Sequence, residues 1–226
     1  MLDNTSPWFS PVNVLYYHSK LPREHKAISR RQMRKADEMR DVALSLLGIF
    51  KQQKIMHWLN AVSDNEGIPD VRAVRYSVDP QLPKHWEMID VEHVLYNEYA
   101  TEDLATFLKR TKLSKSYPPL TTFVCRINCN IIIPTNEQLR ASLSDITQIN
   151  PVYIVGRTTP PNVQRYMVSQ IHPVAETVAE FDALEVARQL PADRGVLFLQ
   201  RNGRIGKTGT TNFPFEDLYI PKELYV

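Results

Sequence analysis

Ile68-Pro69-Asp70-Val71-Arg72-Ala73-Val74-Arg75-Tyr76-Ser77-Val78 and Ile89-Asp90-Val91-Glu92-His93 are the two segments on which the fold turns. Each reads as a strand, and an Asp behind a Pro at the mouth of the first is answered by two acids at spacing two on the second. Side chains on a strand alternate between faces, so Asp90 and Glu92 point the same way. If the strands pair as a hairpin, Asp70 joins them and three carboxyl groups share one small volume. Like charges that close need a cation between them, which implies a divalent metal. The plainer alternative is a turn Asp followed by the solvent face of an edge strand.

Upstream, Ser29 begins a helix, with Gln32 as its capping-box partner. Met33, Ala36, Met39, Ala43, Leu46, Leu47 and Phe50 give that helix an apolar face. Arg30, Arg31, Arg34 and Lys35 crowd its first turns. Cations there oppose the helix dipole, so they read either as a solvated basic face or as a seat for something anionic. Residues 1–28, with Pro7, Trp8, Phe9, Pro11 and Pro22, read as an arm with a short strand from Val12 to Tyr17. Its aromatic side chains suggest docking on the domain or on a second subunit.

Downstream, the turn at 64–67 leads into the first strand, and the Asp79-Pro80 and Pro83 loop leads into the second, Trp86 to Tyr96. Thr101 caps a helix with Glu102 and Asp103 in its first turn; Leu104, Phe107 and Leu108 form its buried face, Lys109, Arg110, Lys112 and Lys115 follow, and Pro118-Pro119 stops it. Strands are expected at Thr121 to Ile127 (continuing to Ile131–Ile133), Pro151 to Val155 and Val163 to Ile171. Thr135 or Asn136 begins another helix through Leu139, Leu143 and Ile146. Val174, Val178, Phe181, Leu184, Ala187 and Leu190 fall at helical spacing up to Pro191. Gly195 to Arg201 and Arg204 to Lys207 flank an Asn202-Gly203 turn and predict a hairpin. The expectation is an α/β fold, a mixed central sheet flanked by helices.

The chain has 226 residues, 43% apolar and 23% charged, enough for one domain with a substantial core. A formal charge of +2 carries no global signal for nucleic acid, so any such role rests on local patches. Two cysteines, Cys125 and Cys129, suit a reducing compartment and read as one core and one surface thiol. Neither a membrane span nor a signal peptide is expected, which points to a cytoplasmic protein.

The order of elements, with Ile68-Pro69-Asp70 and Ile89-Asp90-Val91-Glu92-His93, resembles the PD-(D/E)xK nuclease superfamily, the restriction-endonuclease-like fold. That family's core is a helix, a three-stranded meander, a helix and a further strand. The resemblance covers roughly residues 29–156, between the arm at 1–28 and a C-terminal extension at 157–226 that holds a helix and the hairpin. It implies a metal-dependent endonuclease acting on DNA with Mg²⁺ or Mn²⁺, or an inactive relative serving as a DNA-binding or assembly subunit. It makes Asp70 the central metal ligand, Asp90 a second, and the Val91 carbonyl a third, with Glu38 or Asp41 as an outer acid. Glu92 falls where the family usually has Lys and would hold a second metal or act on the water. The missing cation would come from Lys84 or, preferably, Lys109 on the following helix. His93 should face the other side of the strand.

Arg30, Arg31, Arg34, Lys35 and Lys112 flank this site and would contact phosphates without reading sequence. A homodimer would suit double-strand cutting, and membership of a larger complex is the alternative. Gly206-Lys207-Thr208 is no phosphate loop, since Arg201 stands where that pattern needs Gly.

Overall fold

The computed structural model describes residues 8–19, 21, 29–62, 69–76, 86–118, 121–129, 133–147, 150–158, 165–189, 196–199 and 205–208. Several expectations fall outside these residues: most of the arm, the turn at 64–67 with Ile68, the loop at 77–85 with Lys84, Pro119, Ile131 and Ile132, Val163, Pro191 and the Asn202-Gly203 turn.

The central helix, α2 (Arg30–Gln53), starts as its capping box dictates. Ser29 accepts the Gln32 backbone N–H while the Gln32 side chain takes the Ser29 N–H. It ends at Lys54, whose left-handed backbone (φ 60°) lets its N–H close on the Phe50 carbonyl. Its apolar stripe lies across a seven-stranded mixed sheet and touches every strand. Gly48 permits the closest approach: a Cβ there would lie 2.7 Å from Val168 Cγ2 and 3.0 Å from Phe181 Cε1.

The strands are β1 (His57–Ala61), β2 (Val71–Tyr76), β3 (Trp86–Asn97), β4 (Thr122–Asn128), β5 (Val152–Arg157), β6 (Arg165–His172) and β7 (Glu176–Asp182), laid side by side in chain order and curled into a half-barrel. β1, β2 and β3 form an antiparallel meander, β3, β4 and β5 run parallel, and β6 and β7 return antiparallel. One face of the sheet is covered by α1 (Pro11–Ser19), α2 and α5 (Ala183–Gln189), with Val42, Leu47, Val91, Val155 and Tyr166 in that core. The other face is covered by α3 (Leu104–Leu108) and α4 (Asn136–Ser142) over Phe123, Cys125, Leu139, Leu143 and Ile154. Being covered on both sides, β4 buries five consecutive residues, Phe123 to Ile127. A separate hairpin, β8 (Val196–Leu199) with β9 (Ile205–Thr208), forms where the sequence predicts it.

Three expectations are corrected, and one strand was not foreseen. Val12 to Tyr17 is helix α1, not a strand: the Ser10 hydroxyl accepts the Asn13 N–H and Pro11 takes the first helical position, which outweighs the β-branched residues. The arm docks on the domain, since Phe9 and Leu59 exchange two backbone hydrogen bonds of 2.7 Å. β1 was not legible, being five residues of mixed character that become a strand only by pairing with β2. Asp103, not Thr101, caps α3 by accepting the Thr106 N–H. Residues 174–190 are not one helix: Val178 and Phe181 belong to β7, and Asp182 then caps α5 by accepting the Leu184 and Glu185 N–H groups. Pairing with β6 overrides the helical spacing there.

Candidate carboxylate–lysine site

Val71 pairs with Val91, so the antiparallel register sets Asp70, at the mouth of β2, opposite Glu92. Asp70 is tied down from three sides. Its Oδ2 accepts the His93 backbone N–H at 2.9 Å and the Lys112 ammonium at 3.0 Å, and its main-chain carbonyl accepts Lys35 Nζ at 2.9 Å. Glu92 is only 4% exposed. Its Oε2 takes Lys112 Nζ at 2.5 Å, while its Oε1 is buried with no hydrogen-bond partner among the described residues. Burial raises the Glu92 carboxyl above its ordinary range against the pull of Lys112. Burial also works against the Lys112 ammonium, but Glu92 and Asp70 outweigh it and hold the lysine charged with a raised pKa. Tyr117, set edge-on against Phe123, has its hydroxyl raised by burial and then by the nearby Glu92 charge.

Lys112 reaches the site because α3 runs on into a π-helical turn, Lys109–Leu113. The Ser114 N–H bonds the Lys109 carbonyl, and the Thr111 hydroxyl satisfies the Phe107 carbonyl at 2.7 Å. Residues three apart share a face of an α-helix, but the wider turn splits Lys109 from Lys112. Lys109, the expected functional cation, instead pairs with Asp145 at 2.6 Å. Lys112, expected only to touch nucleic acid, is the lysine between the two carboxylates.

Of the three acids, Lys112 joins two, Asp70 and Glu92. Asp90 lies in register with Arg72 and pairs with it at 3.5 Å. No group of three His, Cys, Asp or Glu side chains among the described residues is arranged to hold a metal. Val91 lies between the two acids, its side chain in the core beneath α2. Glu38 forms ion pairs with Lys35 at 2.8 Å and Arg34 at 3.5 Å, so it meets the site through Lys35. Arg30, Arg31 and Arg34 are exposed on the same helical turns.

Asp41 faces away from the site. It is 1% exposed, and it joins a buried network on the α2 side of the sheet. Arg40 donates to its Oδ1 at 2.8 and 2.9 Å, Arg126 lies 3.8 Å away, and the His93 ring meets its Oδ2 at 3.1 Å. Burial raises the Asp41 carboxyl, but Arg40, His93 and Arg126 together hold it well below the usual carboxylate range. His93 therefore faces the other side of β3, as expected, while its backbone N–H still serves Asp70. Adjacent charges in the apolar stripe of α2, Arg40-Asp41, were the one trace of this network in the sequence.

Burial pushes the Cys125 thiol far up, as befits a core side chain, and Cys129 is half-buried. No helix among the described residues is long and apolar enough to cross a membrane. No family model matches the chain, and neither a curated protein nor a solved structure is similar enough to count as a match.

Proposed function

We propose that the protein is a metal-dependent endonuclease that hydrolyses DNA phosphodiester bonds. The observation that carries this reading is the delivery of Lys112, from the helix after β3, to the two carboxylates whose strand has Glu92 in place of the family's lysine. The order of α2, the β1–β3 meander, α3 and then β4 beside β3 supports it, because the nuclease core has that order.

The donor set suits a hard divalent cation: two carboxylates face each other, and Glu92 Oε1 is a buried anionic oxygen in need of a partner. Asp70 and Glu92 would hold Mg²⁺ or Mn²⁺, which neutralises phosphate charge and lowers the pKa of water. Lys112 sets a cation beside the non-bridging oxygens of the phosphate. Hydrolysis joins a water oxygen to phosphorus, breaks one P–O ester bond and moves one proton from the water to the departing oxygen. Glu92, beside that ion, would take the proton from the attacking water. Arg30, Arg31, Arg34 and Lys35, on the first turns of α2, would contact the flanking phosphates.

A second reading, an inactive nuclease-fold subunit that binds DNA or assembles a nucleoprotein complex, is favoured by the pairing of Asp90 with Arg72. A cytoplasmic setting and a homodimer or larger complex go with either. Nicking of supercoiled plasmid with Mg²⁺, compared with Asp70→Ala, separates them. Metal-dependent nicking lost in the variant supports the enzyme; a gel shift without cleavage supports the binding subunit.

A further inference from the structure

Two ammonium groups occupy cation positions around Asp70. Lys112 bridges Asp70 Oδ2 and Glu92 Oε2, and Lys35 bridges the Asp70 carbonyl and Glu38 Oε2. Both lysine side chains are largely buried, 15% and 17% exposed. Two carboxylates that share one ammonium still carry an excess negative charge. Glu92 Oε1 concentrates it, a buried oxygen without a hydrogen-bond partner beside the ammonium.

We propose that Lys112 is a tethered occupant of a divalent-cation seat, so that Mg²⁺ or Mn²⁺ enters between Asp70 and Glu92 by displacing the lysine. This rests on the reading of those two acids as ion ligands, but it concerns binding and regulation, not cleavage. A divalent ion in place of the ammonium balances the pair and engages the free Glu92 oxygen. It binds oxygens at shorter distances than an ammonium does. Asp70, partly exposed at the mouth of β2, can close by that amount, whereas Glu92 is held within β3.

The lysine has a way out. It stands in the π turn, whose hydrogen bonds are one residue out of α-helical register. Rewinding that turn to α-helix moves Lys112 around the axis without unfolding α3. In the closed state the lysine keeps the acids neutralised. In the open state its charge is freed for an anion at the mouth of the site.

The test uses the full chain. Reductive methylation with formaldehyde and cyanoborohydride, read by peptide mass spectrometry, should label Lys112 about fivefold faster with saturating Mg²⁺ or Mn²⁺ than with NaCl of equal ionic strength, the factor by which the ion depopulates the closed state. Exposed Lys54, at the far end of α2, should label equally in both. Calorimetric titration with Mn²⁺ should show Lys112→Gln binding about tenfold tighter than the wild type, because the competing charge is gone. Unchanged labelling of Lys112, or a variant that binds no tighter, overturns the proposal. Plasmid nicking in parallel keeps the two readings apart. Competition without nicking removes the nuclease and leaves the seat, and nicking with unchanged labelling does the reverse.

Discussion

Lys112 of the π turn stands 2.5 Å from Glu92 of β3, a pair buried between the sheet and the helix that covers it. Removing one partner of such a pair strands the other. Lys112→Met should lower stability by about 3 kcal/mol at neutral pH, the low end for a buried pair, read from urea unfolding. The double variant Lys112→Met with Glu92→Gln should recover most of that loss, since no buried charge is then left alone. A double variant no more stable than the single one would show that the pair is not energetically coupled.

Asp70 and Asp90 are expected to differ, although both stand in the pattern that suggests the metal. Asp70→Ala should abolish Mg²⁺-dependent nicking. Asp90→Ala should leave the rate within about threefold, a difference below 1 kcal/mol in the barrier, because Asp90 is engaged by Arg72. Equal losses in the two variants would return Asp90 to the site.

His57 supplies the clearest pH dependence. Burial, then the Arg75 charge, pull its pKa from 6.5 down to about 4. A folded-state value below the unfolded one means that its contribution is complete above pH 6.5 and is lost as pH falls towards 4. Wild-type stability should fall by about 3 kcal/mol across that window. His57→Gln should show a flatter profile of urea midpoint against pH. Asp41 and Glu92 titrate in both proteins and cancel in the comparison.

Gly48 is placed for contact. Alanine is the better helix former by about 1 kcal/mol, yet its methyl group would press on Val168 and Phe181. Overpacking of this kind costs about 1–3 kcal/mol, so Gly48→Ala should be net destabilising. Adding Val168→Ala should restore part of the loss in thermal unfolding, and a fully stable Gly48→Ala would show that α2 can shift away from β6.

The starts of α2 and α4, the β2–β3 pair and the β8–β9 hairpin were legible in the chain, because caps, turn residues and alternation act over a few residues. β1, α1 and the division of residues 174–190 into β7 and α5 were not, since each depends on a neighbour distant in sequence. Of the site, Asp90 and Glu92 could be set on one face from spacing alone, with Asp70 beside them only if the strands pair, and His93 could be assigned to the opposite face.

The choice between Lys109 and Lys112 was decided by the π turn, a departure of one hydrogen bond from the α-helix that no residue type announces. Asp90 was withdrawn from the acids by Arg72, which stands opposite only because of the register of β2 and β3. The sequence by itself determined which charges the two strands would carry and which way they would face. Only the tertiary structure decided which of them meet, because ion pairs depend on register and helical phase to within a few ångströms, and local propensity does not set either that finely.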